Sequence, residues 1–279
     1  NLRQVHIIDH PEVLGLLGEL NILFLSVLGT CARSRLFLTR EKSMDIVIAR
    51  YNEAIEWIRQ IPSPYKVYMY NKGVPLEGSI QLENIGRESH TYLTHIVRNY
   101  DQLAEFTIFT QANPFDHVKY AKASITYWLK KWRAEVEHYG YTRGENIKTP
   151  YDFHWPGDDV TRQDLSLGDW AKKYIENDWL EFPHVFMYNG ACFGVSRDMI
   201  HARPKEYYQR LLDLHTTINP EESYFMERMW MYIFKVKTPS FRPMNLNLTA
   251  SDSRIIQRAM TQTRLSFDYT RMCVITNAS

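Results

Sequence analysis

Residues 45–53 read Asp45-Ile-Val-Ile-Ala-Arg-Tyr-Asn-Glu53, a short apolar run that ends in polar residues. A run of this length and composition is typical of a strand that is buried on both faces. Ile55 and Ile58 then lie on one face of a predicted amphipathic helix, and residues 66–70 form a second predicted strand. The order strand, helix, strand predicts a βαβ unit and a parallel sheet.

The rest of the pattern extends this α/β interpretation to a mixed, mostly parallel sheet flanked by helices. Asn189-Gly190 between two apolar runs predicts a β-hairpin. The other predicted strands lie near 80–82, 106–110, 184–188 and 191–196, and the predicted helices at about 91–100, 118–138, 204–215 and 221–235.

The chain divides into an N-terminal helical arm, residues 1–44, and a catalytic domain, residues 45–279. Residues 13–31 approach the length of a membrane span. Glu19 interrupts them, and a charge at mid-bilayer costs about 2.5–3.5 kcal/mol. We therefore expect this segment to pack on the domain or on a second copy in a homodimer, and membrane association is not expected.

The amino-acid composition indicates which classes of binding partner to expect. The formal net charge of the 279 residues is +1, which gives no global field for DNA or RNA and argues against a nucleic-acid partner. Aromatic residues make up 14%, and Tyr and Trp rings suit sugar rings and nucleobases as well as protein cores. The three cysteines are far apart, which favours reduced thiols and a cytoplasmic location.

Polar loops follow three of the predicted strands, at 50–53, 84–90 and 111–117. In open α/β sheets, the ligand lies outside the carboxyl ends of parallel strands. The three loops are therefore expected to meet at one edge of the sheet and to form a binding site.

Four ordered motifs carry a resemblance to a known family. Residues 46–53 resemble the first strand and loop of GT-A glycosyltransferases. Together with 84–93, 109–117 and 221–230 they resemble a GT-A-related family found in fungi, algae and large algal viruses. The resemblance implies a GT-A-like fold and transfer of a sugar from a nucleotide donor to a glycan acceptor. UDP-xylose is the implied donor, and fucose of a viral capsid glycan is the implied acceptor.

The resemblance also implies the donor site. Tyr51 would stack on the base, Glu53 would accept from a ribose hydroxyl, and Arg87 would reach the diphosphate. The alternatives are a helix-terminal role for Glu53, and a cap by Ser89 with a surface Arg87–Glu88 ion pair. The candidate donor-binding residues are Arg50, Tyr51, Asn52, Glu53, Arg87, Glu88, His90 and Asn113.

Many GT-A enzymes hold Mn²⁺ or Mg²⁺ through an Asp-x-Asp motif after the fourth strand. Here the sequence reads Asn113-Pro-Phe-Asp116-His117 and departs from that pattern. Asp116 and His117 are candidate metal ligands, since carboxylate and imidazole both suit Mn²⁺. The alternative is that Asp116 satisfies backbone amides of its own loop.

The stretch Pro220-Glu221-Glu222-Ser resembles the acidic pair that opens a late helix in GT-A enzymes. Inverting transfer needs one carboxylate to take the proton of the acceptor hydroxyl. Glu222 is the first candidate for this base and Glu221 is the second. Two adjacent carboxylates tend to raise the pKa of one of them, and a raised pKa suits a base. The alternative is the common preference for acidic residues in the first turn of a helix.

The acceptor side is the least defined part of the predicted site. Its candidate residues are Trp155, Asp158, Asn189 and Arg228, with a solvated turn as the alternative for the stretch around 155–159. Two rival functions remain open. One is a catalytically inactive module that binds nucleotide sugar or glycan, and the other is a metal-dependent hydrolase.

Overall fold

The computed structural model describes residues 42–143, 147–175, 184–187 and 190–236. The predicted arm, apart from its last three residues, lies outside the described residues, as do segment 13–31 and Asn189. No helix within the described ranges is long and apolar enough to cross a membrane.

The centre of the fold is a five-stranded sheet in the order β3-β2-β1-β4-β7. Pairs β1–β2, β1–β4 and β2–β3 are parallel, and β7 runs antiparallel to β4. The predicted α/β class with a mixed, mostly parallel sheet is therefore confirmed. The strands are β1 (Met44–Arg50), β2 (Lys66–Asn71), β3 (Ile80–Gln81), β4 (Phe106–Gln111), β5 (Ile147–Pro150), β6 (His184–Met187) and β7 (Phe193–Ser196).

Helices cover both faces of this sheet, so the central strands β1 and β4 are buried at nearly every position. On β1, Val47 belongs to one apolar cluster with Tyr92, while Ile46 packs with Trp128 and Trp132 in the other cluster. The helices are α1 (Arg87–Asn99), α2 (Ile125–Tyr139), α3 (Leu167–Tyr174), α4 (Arg197–Ile200), α5 (Lys205–Leu212) and α6 (Glu221–Ile233).

The connection between β1 and β2 contains less helix than predicted. It contains a 3₁₀ helix, Glu56–Gln60, in place of an amphipathic α-helix, so that prediction is wrong. Proline lacks an amide hydrogen and restricts the residue before it. Pro62 and Pro64 therefore stop the helix after one turn. Trp57 anchors the turn, because its buried Nε1 donates to the carbonyl of Ala112 at 2.8 Å.

The predicted hairpin around Asn189-Gly190 is also wrong. β6 pairs antiparallel with β5 in a separate two-stranded sheet, whereas β7 pairs with β4. Gly194 explains why β7 fits at the edge of the main sheet: a Cβ there would lie 2.9 Å from Val136 and 3.0 Å from Thr142. Non-local packing has overridden a local turn signal.

Helix α1 begins earlier than the predicted residue 91, and its N-cap is Gly86 rather than Ser89. The alternative cap by Ser89 is therefore wrong. Ser89 lies inside the first turn, where its hydroxyl donates to the carbonyl of Ser223 at 3.3 Å. That contact ties the start of α1 to the start of α6.

Candidate functional site

The three polar loops meet, as predicted, at the carboxyl edge of β1, β2 and β4. Together they line a cavity of about 500 Å³. Side chains of both charges face it, beside the exposed ring of Tyr51. The lining residues are Ala49, Arg50, Tyr51, Glu53, Lys72, Asn84, Arg87, Glu88, Thr91, Gln111, Asn113, Asp116, Ile218 and Asn219.

The loop after β1 is held in shape by its own polar residues. Arg50 Nη1 donates to Asn71 Oδ1 at 2.7 Å, and its Nε donates to the carbonyl of Glu53 at 3.0 Å. Glu53 Oε2 accepts from the amide of Tyr51 at 2.7 Å. Asn52 Oδ1 accepts from the amide of Val74 at 3.0 Å. These contacts give Arg50 and Asn52 an organising role and leave the Tyr51 ring 51% exposed at the cavity.

Lys72 follows β2 and is a charged residue of the cavity lining that the sequence interpretation missed. It is only 9% exposed, and its Nζ donates to the carbonyls of Ile85 and Arg87. The available signal was its position directly after a predicted parallel strand. Gly73, the next residue, lies so close to the β1 loop that a Cβ would be 1.8 Å from the carbonyl oxygen of Tyr51.

A turn in the left-handed region opens α1 at the cavity. Gly86 has φ of 60° and Arg87, a residue with a side chain, has φ of 45°. Such a conformation is costly outside glycine and is held by its surroundings. Arg87 Nη1 donates to the hydroxyl of Tyr224 at 3.1 Å and lies 3.4 Å from Asn219 Oδ1. The turn therefore places a guanidinium group at the cavity.

A pair of carboxylates lies beside that guanidinium group. Glu88 Oε1 accepts from the side-chain amide of Gln111 at 3.0 Å, and its Oε2 lies 3.6 Å from Arg87 Nε. Burial raises the pKa of Glu227, the negative charge of Glu88 raises it further, and the cation of Arg228 opposes the shift. Glu88, predicted as a donor-binding residue, lines the cavity, and its carboxylate there is a further candidate proton acceptor besides Glu222 and Glu221.

Of the two predicted metal ligands, Asp116 is the one among the described lining residues of the cavity. Asp116 lines the cavity and accepts from Asn113 Nδ2 at 3.2 Å, but His117 does not belong to the described lining. No group of three or more His, Cys, Asp or Glu residues suited to a metal exists within the described ranges. The other ligands of a divalent ion at Asp116 would therefore have to come from water or from a bound molecule.

Glu221 is fully buried, and both its oxygens are engaged. Oε1 accepts from the amide of Trp155 at 2.7 Å, and Oε2 accepts from the amide of Gln163 at 2.8 Å. His154 Nδ1 and Arg162 Nη1 lie 3.2 and 3.3 Å from Oε1. Burial opposes ionisation, but these hydrogen bonds outweigh it and lower the pKa of Glu221. The geometry favours a structural role in which Glu221 ties the 152–163 loop to α6.

Glu222 has a different environment. Its Oε1 accepts from the side-chain amide of Gln163, while Oε2 is buried with no hydrogen-bond partner in the part of the chain described. Burial raises the pKa of Glu222, and the adjacent charge of Glu221 adds to the shift. Glu222 lies outside the cavity lining.

The predicted acceptor residues fall into three groups. Trp155 stacks on Tyr224 with ring centroids 4.0 Å apart, and the Arg228 guanidinium lies 5.8 Å from the Trp155 ring. Asp158 is exposed on the loop beyond Trp155. Asn189 lies outside the described residues. Tyr224 also contacts Arg87, which connects Trp155 to the cavity through one aromatic ring.

His90, a predicted donor-binding residue, is half-buried on α1, outside the described cavity lining and near the buried His215. Its ring centroid is 6.4 Å from that of His215. Burial lowers the pKa of His90 to about 3, and the cation of Lys72 contributes. Burial lowers the pKa of His215 to about 4 and that of His95 to about 3. These three imidazoles are therefore neutral in the folded protein at pH 7.

We expect acid to destabilise the fold through these histidines. Between pH 6.5 and 4 the unfolded chain binds protons that the folded chain does not, so the free energy of unfolding falls by about 1.4 kcal/mol per pH unit for each proton. Asp45, whose pKa burial raises to about 6, acts in the opposite direction, as do Glu222 and Glu227, whose pKa values burial also raises. A histidine substitution therefore isolates the contribution of the imidazoles. Urea unfolding at pH 7.5 and 5 measures the effect: His215→Gln should lose less stability than the wild type when the pH is lowered, and an identical change of midpoint in the two proteins would contradict it.

The sequence model of one protein family, described as "Protein of unknown function (DUF3431)", matches residues 46–246. Because this range is most of the chain, the protein belongs to that family. None of the curated proteins matches the sequence.

Proposed function

We propose that this member of the DUF3431 family is an inverting glycosyltransferase, which moves one sugar from a nucleotide donor to a glycan hydroxyl. The observation that supports this most is the cavity at the carboxyl edge of the parallel strands. That edge is the usual ligand position in open α/β sheets. The cavity combines an exposed aromatic ring, buried and half-exposed cations, and carboxylates, the groups that a nucleotide sugar requires.

The donor is proposed to lie across the ends of β1, β2 and β4. Tyr51 offers its exposed ring to the nucleobase, and Ile218, 64% exposed, is the other large apolar side chain of the cavity. Glu53 accepts from a ribose hydroxyl. Arg87, whose side chain is 38% exposed, faces the diphosphate. Fixed cations aimed at a developing negative charge stabilise a departing phosphate.

The chemical step is a single displacement at the anomeric carbon. The acceptor oxygen forms a bond to that carbon while its proton passes to a carboxylate. The bond from the carbon to the phosphate oxygen breaks, and the nucleoside diphosphate leaves with the electron pair. Glu222 is the proposed base, because its raised pKa favours proton acceptance and its Oε2 has no partner within the described residues.

The acceptor is proposed to approach from the 152–163 loop, because Glu222 lies outside the cavity lining. Trp155, stacked on Tyr224, presents an aromatic face on that side. Mn²⁺ or Mg²⁺ would assist at Asp116 only together with the phosphate oxygens of the donor. UDP-xylose as donor and a fucose-containing glycan as acceptor rest on the sequence resemblance alone.

A thermal-shift screen of nucleotide sugars, with and without Mn²⁺, tests donor binding. Ligands that bind the folded state alone raise its melting temperature. We expect UDP-xylose to raise it, and we expect Arg87→Ala to abolish the shift. Arg98→Ala is the matched control, because Arg98 lies at the far end of the same helix. No shift with any nucleotide sugar would contradict the proposal.

A binding module without turnover is the second candidate function. The position of Glu222 outside the cavity lining favours it, since a base must reach the acceptor hydroxyl. A turnover assay with UDP-xylose and a fucose-containing acceptor separates the two functions. Binding without product would favour the module, and product would favour the enzyme.

A further inference from the structure

Lys72 occupies an unusual position for a lysine. It is buried at the floor of the cavity, directly after β2, and has only 9% of its surface exposed. Two of its N–H groups are used by the carbonyls of Ile85 and Arg87. An ammonium group has three donors and no acceptor. One donor therefore remains beyond the two carbonyls, on a residue that lines the cavity.

The two carbonyl contacts connect Lys72 to the strained turn at the start of α1. Arg87 carries the positive φ of 45°, and its own carbonyl accepts from Lys72. Neutral or charged, the amine fixes the turn that presents the Arg87 guanidinium. Lys72 and Arg87 thus both line the cavity and are connected through the backbone of this turn.

The charged groups near Lys72 stabilise its ammonium form only weakly. Burial lowers the pKa of Lys72 to about 7, Glu88 opposes the shift, and Arg87 adds to it. His90 and His215 also face it, and both are neutral at pH 7 because burial lowers their pKa values. An anion beside Lys72 would favour the ammonium form.

We propose that Lys72 is an anion-binding residue of the cavity, which contacts a phosphate group of the donor and takes up a proton when that phosphate binds. This inference rests on the proposed binding of a nucleotide sugar and identifies the residue that recognises its diphosphate. In the free protein at pH 8 the amine is mostly neutral. Binding of the diphosphate brings a proton back to the amine of Lys72. Because this proton is harder to obtain at higher pH, the affinity for the donor falls as the pH rises from 7 to 9.

Titration calorimetry of the full chain with UDP-xylose tests this inference. The phosphates of a nucleotide sugar do not titrate near neutral pH, so proton uptake reports on the protein. At pH 8, in two buffers of different ionisation enthalpy, we expect uptake of about 0.5–1 proton per ligand bound. Lys72→Met should abolish uptake and weaken binding about 10-fold or more. Lys72→Arg should keep most of the affinity but abolish uptake, because arginine stays charged.

Lys66→Met is the matched control, since Lys66 lies at the opposite end of the same strand and should change neither quantity. Melting curves verify that each variant folds. Binding of UDP-xylose without proton uptake, or equal affinity for Lys72→Met, would overturn the role of Lys72 and leave the proposed function intact. If UDP-xylose does not bind the wild-type chain, the proposed function fails. Inorganic pyrophosphate then decides the anion site: loss of its binding in Lys72→Met supports the site, and no binding to the wild-type chain overturns it.

Discussion

Replacing Glu222 with Gln is expected to slow sugar transfer about 10²–10⁴-fold and to leave the affinity for nucleotide sugar unchanged. Gln keeps the shape of the side chain but cannot take the proton of the acceptor. Since Glu222 lies outside the cavity lining, the donor should not sense the change. Initial rates with UDP-xylose and a fucose-containing acceptor measure the first effect, and calorimetry with UDP-xylose alone measures the second.

Glu88→Gln is the comparison variant that shows which of the two carboxylates is the base. Glu88 lines the cavity and contacts Gln111 and Arg87, so this substitution should weaken donor binding through the Arg87 pair. If Glu88→Gln removes transfer while Glu222→Gln keeps it, the base is Glu88. Retention of full transfer by both variants would remove both carboxylates from the role.

The central strands of this fold could be predicted from the sequence because burial on both faces leaves a local pattern. β1 and β4 are buried at nearly every position and lie where they are predicted. The half-buried β2 and the short, exposed β3 are also found near their predicted positions, and the polar loops at the carboxyl ends meet as expected. The hairpin at residue 190 was inferred from neighbours in sequence, whereas the partner of β7 is the distant strand β4. The helix after β1 is stopped by Pro62 and Pro64, and its single turn is anchored by a distant contact between Trp57 and Ala112.

In the candidate site, too, residues could be predicted where the signal lies in neighbouring residues, and were missed where it depends on distant contacts. Arg87, Glu88 and Asp116 could be predicted because each follows a strand or opens a helix at the ligand edge. Lys72 obeys the same rule, but its burial depends on carbonyls 13 and 15 residues away. The role of Glu221 was not accessible from sequence, because its amide partners Trp155 and Gln163 are 66 and 58 residues away.

Removing the Glu221 carboxylate is expected to give the largest loss of stability. Glu221→Ala leaves the amides of Trp155 and Gln163 without their acceptor, and it removes the carboxylate partner of Arg162, whose guanidinium keeps its contacts with the carbonyls of Trp155 and Gly157. Each buried donor left unpaired costs about 1–3 kcal/mol. Because Arg162 is partly exposed, we expect a total loss of about 2–4 kcal/mol in the free energy of unfolding, measured by urea titration at pH 7.5.

The neighbouring residue supplies the control. Glu222→Ala lies one position along the same helix and removes a carboxylate with one described hydrogen bond, so its loss should be clearly smaller. Glu221→Gln should fall between the two, because its amide oxygen can still accept from one backbone amide. Equal losses for Glu221→Ala and Glu222→Ala would contradict the assignment of Glu221 as the tie between the 152–163 loop and α6.

The same substitution has a consequence for the cavity. Asn219, two residues before Glu221, lines the cavity and donates from Nδ2 to the carbonyl of Asp159 at 2.8 Å. If Glu221 releases the 152–163 loop, Asn219 loses its support and Arg87 loses a neighbour. Nucleotide-sugar affinity should then fall together with stability in Glu221→Ala, whereas Glu222→Gln should separate affinity from turnover. These two results together would assign Glu221 to holding the site in shape and Glu222 to the transfer of the proton.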